Sequence, residues 1–334
     1  MNIKSKQTKK KLNGVFYTPF EIVDFFTYWI IDKQKNANIL EPSAGDGRFV
    51  KKIFEFTDDV SVTAVEIDPS ECEKIKGNDR TKVINDDFYN FYENIKDKGN
   101  KYDAIIGNPP YIRYQFLTEN QRNYQSDILK RNGMKPNKLI NTWVAFTVAS
   151  IELLNLGGKF AFVLPTDVLQ VSYAKELREF IFKELKEVTI VHFDDIVFSG
   201  IQQDVVLIFG IKSEKGNQKT LIRNVNVKNI SQLTKEIYDI PFEQYDFNNS
   251  DKWRKFSLNK SFMKFYENKF FNETIPIKDI SRIEVGITTG NNKVFVVNSE
   301  IINKYNLDDY KIPLVGKSLD VYGLFYTEND ILYN

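Results

Sequence analysis

The sequence predicts an α/β domain built on a mostly parallel, doubly wound sheet, with an antiparallel hairpin at one edge and a smaller β-rich region behind it. Three observations carry this. From residue 37 to residue 185, short apolar runs alternate with helix-length segments, as βαβ units require. A Gly45-Asp46-Gly47 turn sits between the first of these strands and the helix after it, and Glu66 closes the next strand. The last two runs, 188–193 and 205–209, are joined by a segment too short for a parallel crossover, so they predict a hairpin.

The elements follow in order. Thr18-Pro19 reads as a helix start, a capping hydroxyl followed by proline at the first helical position. The helix then spans 20–31, with Ile22, Val23, Phe26, Trp29 and Ile30 as its apolar stripe. Strand 37–40 leads into Glu41-Pro42-Ser43-Ala44-Gly45-Asp46-Gly47, and helix 48–56 follows. Strand 60–67 ends on Glu66 and Ile67; helix 69–76 and strand 82–84 come next, and Asp86-Asp87-Phe88 opens a further helix. Strand 102–106 runs into Gly107-Asn108-Pro109-Pro110-Tyr111, where two prolines stop it because neither can donate to a ladder. An amphipathic helix over 141–154, closed by Gly157-Gly158, precedes strand 159–164 and helix 174–185. Beyond residue 212 the alternation gives way to short β-like and aromatic runs, and 285–296 reads as two strands around a Gly290-Asn291-Asn292 turn. The predicted organisation is a basic tail (1–13), a main domain (14–245) and a second domain (246–334).

Composition narrows the chemistry. The 334 residues are 42% hydrophobic and 27% charged, and the net charge of +1 gives no global basic field. Basic residues crowd the first eleven positions, among them Lys9, Lys10 and Lys11, as a solvated tail or as an arm for a phosphate backbone. Cys72 and His192 are the only residues of their types. That excludes a disulfide framework, a zinc cluster and a Cys-His or Ser-His-Asp machine, and leaves His192 as a packed strand residue. No run reaches membrane-span length and no signal-peptide core opens the chain, so a cytoplasmic protein is expected.

Two stretches carry candidate chemistry. Gly45 allows a tight turn, Gly47 a close backbone approach, and Glu66, about twenty residues on, can accept both hydroxyls of a ribose. The third glycine of the dinucleotide fingerprint is replaced by Val50, and Glu41 and Asp46 make the turn acidic. Two carboxylates repel a pyrophosphate but suit a cationic sulfonium, which favours S-adenosylmethionine over a nicotinamide cofactor. Asp87 and Phe88 offer a carboxylate and a ring to its adenine. At Asn108-Pro109, the side-chain oxygen and a fixed carbonyl are two neutral acceptors, suited to the two protons of an exocyclic amino group.

Taken in order, Gly14–Pro19, the turn at 41–49, 65–68, Asp87-Phe88 and Asn108-Pro109-Pro110-Tyr111 resemble the motifs of the gamma-class N6-adenine DNA methyltransferases, the group of the Taq modification methylase. The likeness covers about the first 210 residues. It implies a class I S-adenosylmethionine-dependent methyltransferase fold followed by a partial target-recognition domain. It also implies cofactor contacts from Phe16, Tyr17, Thr18, Pro19, Glu41, Ser43, Ala44, Gly45, Gly47, Glu66, Ile67, Asp87, Phe88, Asn108 and Pro110. Asn108, Pro109, Pro110 and Tyr111 would be catalytic, with Tyr111 and Phe198 stacking on a flipped adenine and Asn141 a further pocket residue. Double-stranded DNA is the implied partner, in a bacterial or phage restriction-modification setting. Lys9, Lys10, Lys11, Arg113, Thr288, Asn291, Asn292 and Lys293 are candidate DNA contacts.

Rival readings use the same turn: N-methylation of a protein glutamine, methylation of RNA adenine, or a non-catalytic DNA-binding subunit. Glutamine methylases lack the Gly14–Pro19 segment and a large β-rich second domain. Only thirteen residues precede Gly14, so no fused nuclease is expected. The chain ends on the apolar run Ile331-Leu332-Tyr333-Asn334, which points to a fragment or to a partner chain that completes recognition. The polar, aromatic segment 112–139 is expected to be either a flap that orders over DNA or a surface helix.

Overall fold

The computed structural model describes residues 17–99, 101–197, 204–213, 220–245, 253, 265, 274–275, 277–282 and 292–312. The chain divides into two compact units, 1–265 and 266–334.

The first unit is a sheet of order β3-β2-β1-β4-β5-β7-β6-β8-β9 with helices on both faces. Its strands are β1 (Ala37–Glu41), β2 (Val60–Glu66), β3 (Thr81–Asn85), β4 (Tyr102–Gly107), β5 (Leu154–Pro165), β6 (Leu185–Phe193), β7 (Val205–Lys212), β8 (Thr220–Val227) and β9 (Glu243–Tyr245). The helices are α1 (Phe20–Ile31), α2 (Arg48–Phe56), α3 (Pro69–Cys72), α4 (Phe88–Ile95), α5 (Glu119–Arg131), α6 (Thr142–Glu152) and α7 (Lys175–Glu184). Strands β1 to β5 run parallel. This is the class I methyltransferase arrangement, with β7 entering antiparallel between β5 and β6.

Each face buries its own apolar layer. On one side, Ile22, Phe26 and Ile30 of α1 and Phe49, Val50 and Ile53 of α2 cover Ile39, Val62, Ala104 and Ile106. On the other, Phe88, Tyr92, Trp143 and Phe146 cover Leu40, Ile105, Phe160 and Phe162. Strands buried on both faces read as continuous apolar runs, which is why β4 and β7 were visible in the sequence.

Five local expectations are corrected. Pro19 is the N-cap of α1, not its first helical residue, and makes no side-chain cap; the Thr18 side chain is buried instead. Helix α3 stops at Cys72 because the chain turns back to start β3. Helix α6 is not amphipathic: every residue from Thr142 to Ile151 is buried, because α5 and α7 cover the side facing away from the sheet. It ends at Glu152, and Gly157-Gly158 lie inside β5, where a side chain on Gly158 would meet the Asn155 and Asp103 carbonyl oxygens at 2.8 and 3.1 Å. The hairpin of β6 and β7 is not at an edge, since β8 and β9 extend the sheet beyond it. Arg223 and Asn224 interrupt the apolar alternation of β8 and hid it. The strand tolerates them because Arg223 Nε donates to the Ile240 carbonyl (2.6 Å) and Asn224 Oδ1 pairs with His192 Nε2 (2.8 Å).

Within the segment after Tyr111, residues 119–131 form the packed helix α5. Thr118 and Gln121 form a capping box at the start of α5, and Ile128 and Leu129 are fully buried against α6.

In the second unit the described α-helices are α8 (Ile277–Ile280), α9 (Asn292–Phe295) and α10 (Ser299–Tyr305), and a 3-10 turn follows at Asp308–Tyr310. Asn298 Oδ1 caps α10 by accepting from Ile301 N–H (3.1 Å). The predicted second strand of 285–296 is replaced by α9. Val294 and Phe295 are mostly exposed there, so no burial enforces the two-residue period of a strand. Its predicted partner and the turn residues Gly290 and Asn291 lie outside the described residues, and Asn292 opens α9.

His192 is packed, as expected, and burial pushes its imidazole down to about 4. Between pH 6.5 and 4 the unfolded chain therefore takes up a proton that the fold refuses, and stability falls as pH falls through that window. Replacing His192 with Gln should remove about 2–3 kcal/mol of this acid sensitivity, read as the difference in urea-unfolding free energy between pH 7 and pH 4. Equal pH slopes for the two proteins would contradict it.

Candidate active site

The carboxyl ends of β1, β2, β3 and β4 meet at one cleft. Pairing of Ile39 with Ala104 and Leu40 with Ile105 sets β1 beside β4, so the loops that follow each strand emerge side by side. Ser43 Oγ donates to the Asn108 backbone carbonyl at 3.1 Å, tying the glycine turn to the Asn-Pro-Pro turn.

The glycine turn is held from below. Ala44 N–H donates to the Val65 carbonyl (2.9 Å) and Gly45 N–H to Glu66 Oε2 (2.7 Å), while Asp68 N–H donates to Glu66 Oε1 (2.8 Å). Both glycines are left-handed, Gly45 at φ +53° and Gly47 at φ +77°. Their roles differ from expectation. Gly45 lines the cleft, and a side chain there would meet only the Tyr17 ring. Gly47 faces the protein: a Cβ would lie 3.0 Å from Ile75 Cα. Its missing side chain makes room for Ile75.

Charge at the turn is also arranged otherwise than predicted. Glu41 is buried beneath the turn and does not line the cleft; its Oε2 has no partner among the described residues, and burial holds its carboxyl well above the ordinary range. Asp46 is paired with Arg48, whose Nε lies 2.9 and 3.1 Å from its two oxygens. The two carboxylates therefore do not form a free anionic patch. Arg48 also donates to the Thr18 carbonyl (2.8 Å), with its guanidinium 4.8 Å from the Tyr17 ring and 4.9 Å from the Phe20 ring. It clamps the segment before α1 onto the turn. Tyr17, whose hydroxyl donates to Glu71 Oε1 (2.9 Å), reaches the cleft; burial and that bond push its phenol up to about 12.

Of the predicted contacts, Tyr17, Ser43, Gly45, Glu66, Ile67, Asp87, Phe88, Asn108 and Pro110 share one cleft. Thr18, Pro19, Glu41, Ala44, Gly47, Pro109 and Tyr111 are not among its lining residues. Phe16 and Phe198 lie outside the described residues, as do Lys9, Lys10, Lys11, Thr288 and Asn291. Asn292 and Lys293 fall in α9, and Arg113 is exposed.

Asp87 Oδ1 caps α4 by accepting from Tyr89 N–H (2.8 Å), and its Oδ2 accepts from Gln121 Nε2 (2.6 Å). Gln121 lines the cleft and was missed in the sequence, because its only signal was the Thr118-x-x-Gln121 capping spacing. Phe88 is 4% exposed, packs with its ring tilted 40° against Phe146 at 4.3 Å and touches the cleft as part of the core. Asn141 is the N-cap of α6, with a buried Oδ1 that has no hydrogen-bond partner among the described residues. Tyr111 Oη lies 3.0 Å from Asn108 Oδ1 and 3.1 Å from the Val163 carbonyl, and its ring packs into both apolar layers. In this arrangement Tyr111 orients the Asn108 amide, and burial holds its phenol well above the usual value.

The profile of the Eco57I restriction-modification methylases matches residues 23–198. The chain belongs to that family. Residues 250–334 match the C-terminal domain of the type II methyltransferase M.Eco57I. This methylase-family chain is 24% identical to the type II methyltransferase M.AccI of Acinetobacter calcoaceticus over 98% of its own length and 61% of the relative's. It is 32% identical to M.HincII of Haemophilus influenzae over 74% of its length and 47% of that protein. It thus spans about half to three-fifths of these relatives. Among solved structures, the type IIG restriction endonuclease BpuSI superposes with a TM-score of 0.56 at 15% identity, covering 89% of this chain and 39% of that one. A Listeria monocytogenes protein described as a class I S-adenosylmethionine-dependent methyltransferase gives a TM-score of 0.50 at 16% identity, covering 70% of this chain and 73% of that one. Both show the fold.

Gly47 provides a direct check on the turn. Gly47→Ala adds a methyl group at φ +77° against Ile75 and should cost about 1–3 kcal/mol, read as a lower urea midpoint. An unchanged midpoint would show that the turn is not held as described.

Proposed function

We propose that this chain transfers a methyl group from S-adenosylmethionine to N6 of an adenine flipped out of a specific DNA sequence, within a restriction-modification system. The observation that carries the reading is the hydrogen bond from Ser43 to the Asn108 carbonyl, which sets a nucleoside-type pocket directly against an amide acceptor. The names of the relatives, type II methyltransferases, and the fold support it.

The donor set fits the cofactor. Glu66 presents a carboxylate at the end of β2, where ribose hydroxyls can share its oxygens with the Gly45 and Asp68 amides. Asp87 and Gln121 together offer acceptors and a donor to the edge of an adenine. Ser43 borders the end nearest Asn108, and Tyr17 lines the cleft beside Gly45. When bound, the sulfonium supplies an electrophilic methyl group.

The remaining work falls to Asn108. Its side-chain oxygen, with the Pro109 carbonyl, accepts the amino hydrogens, draws N6 toward tetrahedral geometry and localises its lone pair for in-line attack on the methyl carbon. S-adenosylmethionine, held by Glu66, Asp87 and Gln121, would supply the methyl group, and the surplus N6 proton would leave to solvent. Such preorganised dipoles act without a strong base, consistent with a site lacking His and Cys. Tyr111, by holding the amide, keeps the acceptor aimed. Flipping the base costs a few kcal/mol, which aromatic stacking can offset by roughly 1–3 kcal/mol per contact.

Asn108→Ala should lower methyl transfer by about 10²–10³-fold or more while leaving S-adenosylmethionine affinity within a few-fold. Tritiated methyl transfer to DNA, RNA and protein in parallel distinguishes the substrate classes. Near-normal activity in Asn108→Ala would refute the mechanism, and label on RNA or protein alone would refute the substrate.

A further inference from the structure

A second cavity, of about 430 Å³, lies far from the cleft, at the opposite edge of the sheet. Its floor is near the starts of β6 and β8, whereas the active-site loops follow the ends of β1, β2 and β4. Val191 and Val225 belong to the apolar layer under α1. Two residues back along the same strands, and so on the same face, stand Thr189 and Arg223, paired in register, with Glu187 beyond. A sheet face under a helix is ordinarily apolar; here it turns polar and is left hollow.

The walls are aromatic. Tyr28 and Tyr238 stack with centroids 6.0 Å apart and planes 12° apart, and Trp29 and Phe242 complete the lining. Arg223 lies on this surface with Cζ 4.0 Å over the Phe242 ring, and is only 7% exposed. Its Nε donates to the Ile240 carbonyl, but among the described residues its two Nη groups have no hydrogen-bond partner and no carboxylate lies within 4.0 Å. Burying a guanidinium without an ion pair is costly, by several kcal/mol in general. The side chain is aimed into a space large enough for a ligand.

The ligand chemistry follows from the lining. A guanidinium fork backed by a ring is matched by a planar or phosphate oxyanion held through two parallel hydrogen bonds. Lys33 and Lys235 add positive charge, and Lys235 Nζ sits 3.5 Å over the Tyr28 ring. Asp32, Glu187 and Asp239 line the same cavity, so its formal charge cancels. It is therefore not a sink for a bare anion. Its occupant must bring an oxyanion to Arg223, an aromatic face to the walls and N–H donors to the carboxylates. A purine nucleotide bearing an exocyclic amino group brings all three.

We propose that this cavity binds a purine nucleoside monophosphate, its phosphate on the Nη groups of Arg223 and its base against Tyr28, Trp29 and Tyr238. The inference is independent of the methyl-transfer reading. It is tested by calorimetric titration of the full chain with AMP, adenosine and inorganic phosphate, each with the methyl-transfer cleft saturated by S-adenosylhomocysteine. AMP should bind below about 1 mM, with adenosine and phosphate each about tenfold weaker or worse. Arg223→Gln should weaken AMP about tenfold, as expected for loss of a charge-assisted pair. Lys235→Ala, at an exposed position, should weaken it about threefold with an unchanged circular dichroism spectrum. Absence of AMP binding, phosphate binding as tightly as AMP, or AMP affinity unchanged in both variants would each overturn the proposal.

Discussion

The parallel pairing of β1 with β4 is the constraint on which the site depends. It is short, two registered pairs at Ile39–Ala104 and Leu40–Ile105, yet it sets the glycine turn and the Asn-Pro-Pro turn side by side. Everything chemical is then a matter of which loop group faces which. The Ser43–Asn108 hydrogen bond, the Glu66 carboxylate under Gly45 and the Tyr111 hydroxyl at Asn108 all presuppose that adjacency. The pairing itself is held by burial. Ile39 and Ala104 share the layer under α1, and Leu40 and Ile105 the layer under α4 and α6. Slippage by one residue would exchange the two sets of side chains between layers.

The helices are fitted to this sheet with unequal roles. α1 carries its aromatic stripe over β4 and β5, and Lys159 of β5 donates to the Trp29 and Asp32 carbonyls at the end of α1. That C-terminal anchor leaves the other end free to bring Tyr17 to the cleft, where Arg48 clamps it. α6 is wholly buried, so α5 is needed as its outer cover. The cover has a chemical consequence, because Gln121 at the start of α5 reaches Asp87 and becomes part of the cleft.

The clearest disagreements between expectation and structure lie where a polar side chain has two possible employers. By type and spacing Glu41 and Asp46 suit a joint anionic patch, but one is buried beneath the turn and the other is paired with Arg48. The missing side chain of Gly47 makes room for Ile75. In the same way, Arg223 and Asn224 break the apolar alternation of β8, although the Ile240 carbonyl and His192 take up one group on each side chain. Residue type and spacing identify groups that need a partner. They do not say whether the partner is a ligand or the protein.

What the sequence by itself determined is the alternation of strands and helices through β7, the strand-ending position of Glu66 and of the Asn108–Tyr111 turn, and the packed state of His192. These follow from local causes: apolar periodicity, proline's missing donor and the conformational freedom of glycine. What only the tertiary structure decided is the place of β6–β9 in the sheet, the burial of α6 on every side, and the roles of Gln121, Arg48 and Arg223. Each depends on contacts between residues far apart in the chain, such as Arg48 with Thr18 and Gln121 with Asp87. No single window of sequence contains both partners, so the chemistry of each is fixed only once the sheet has assembled.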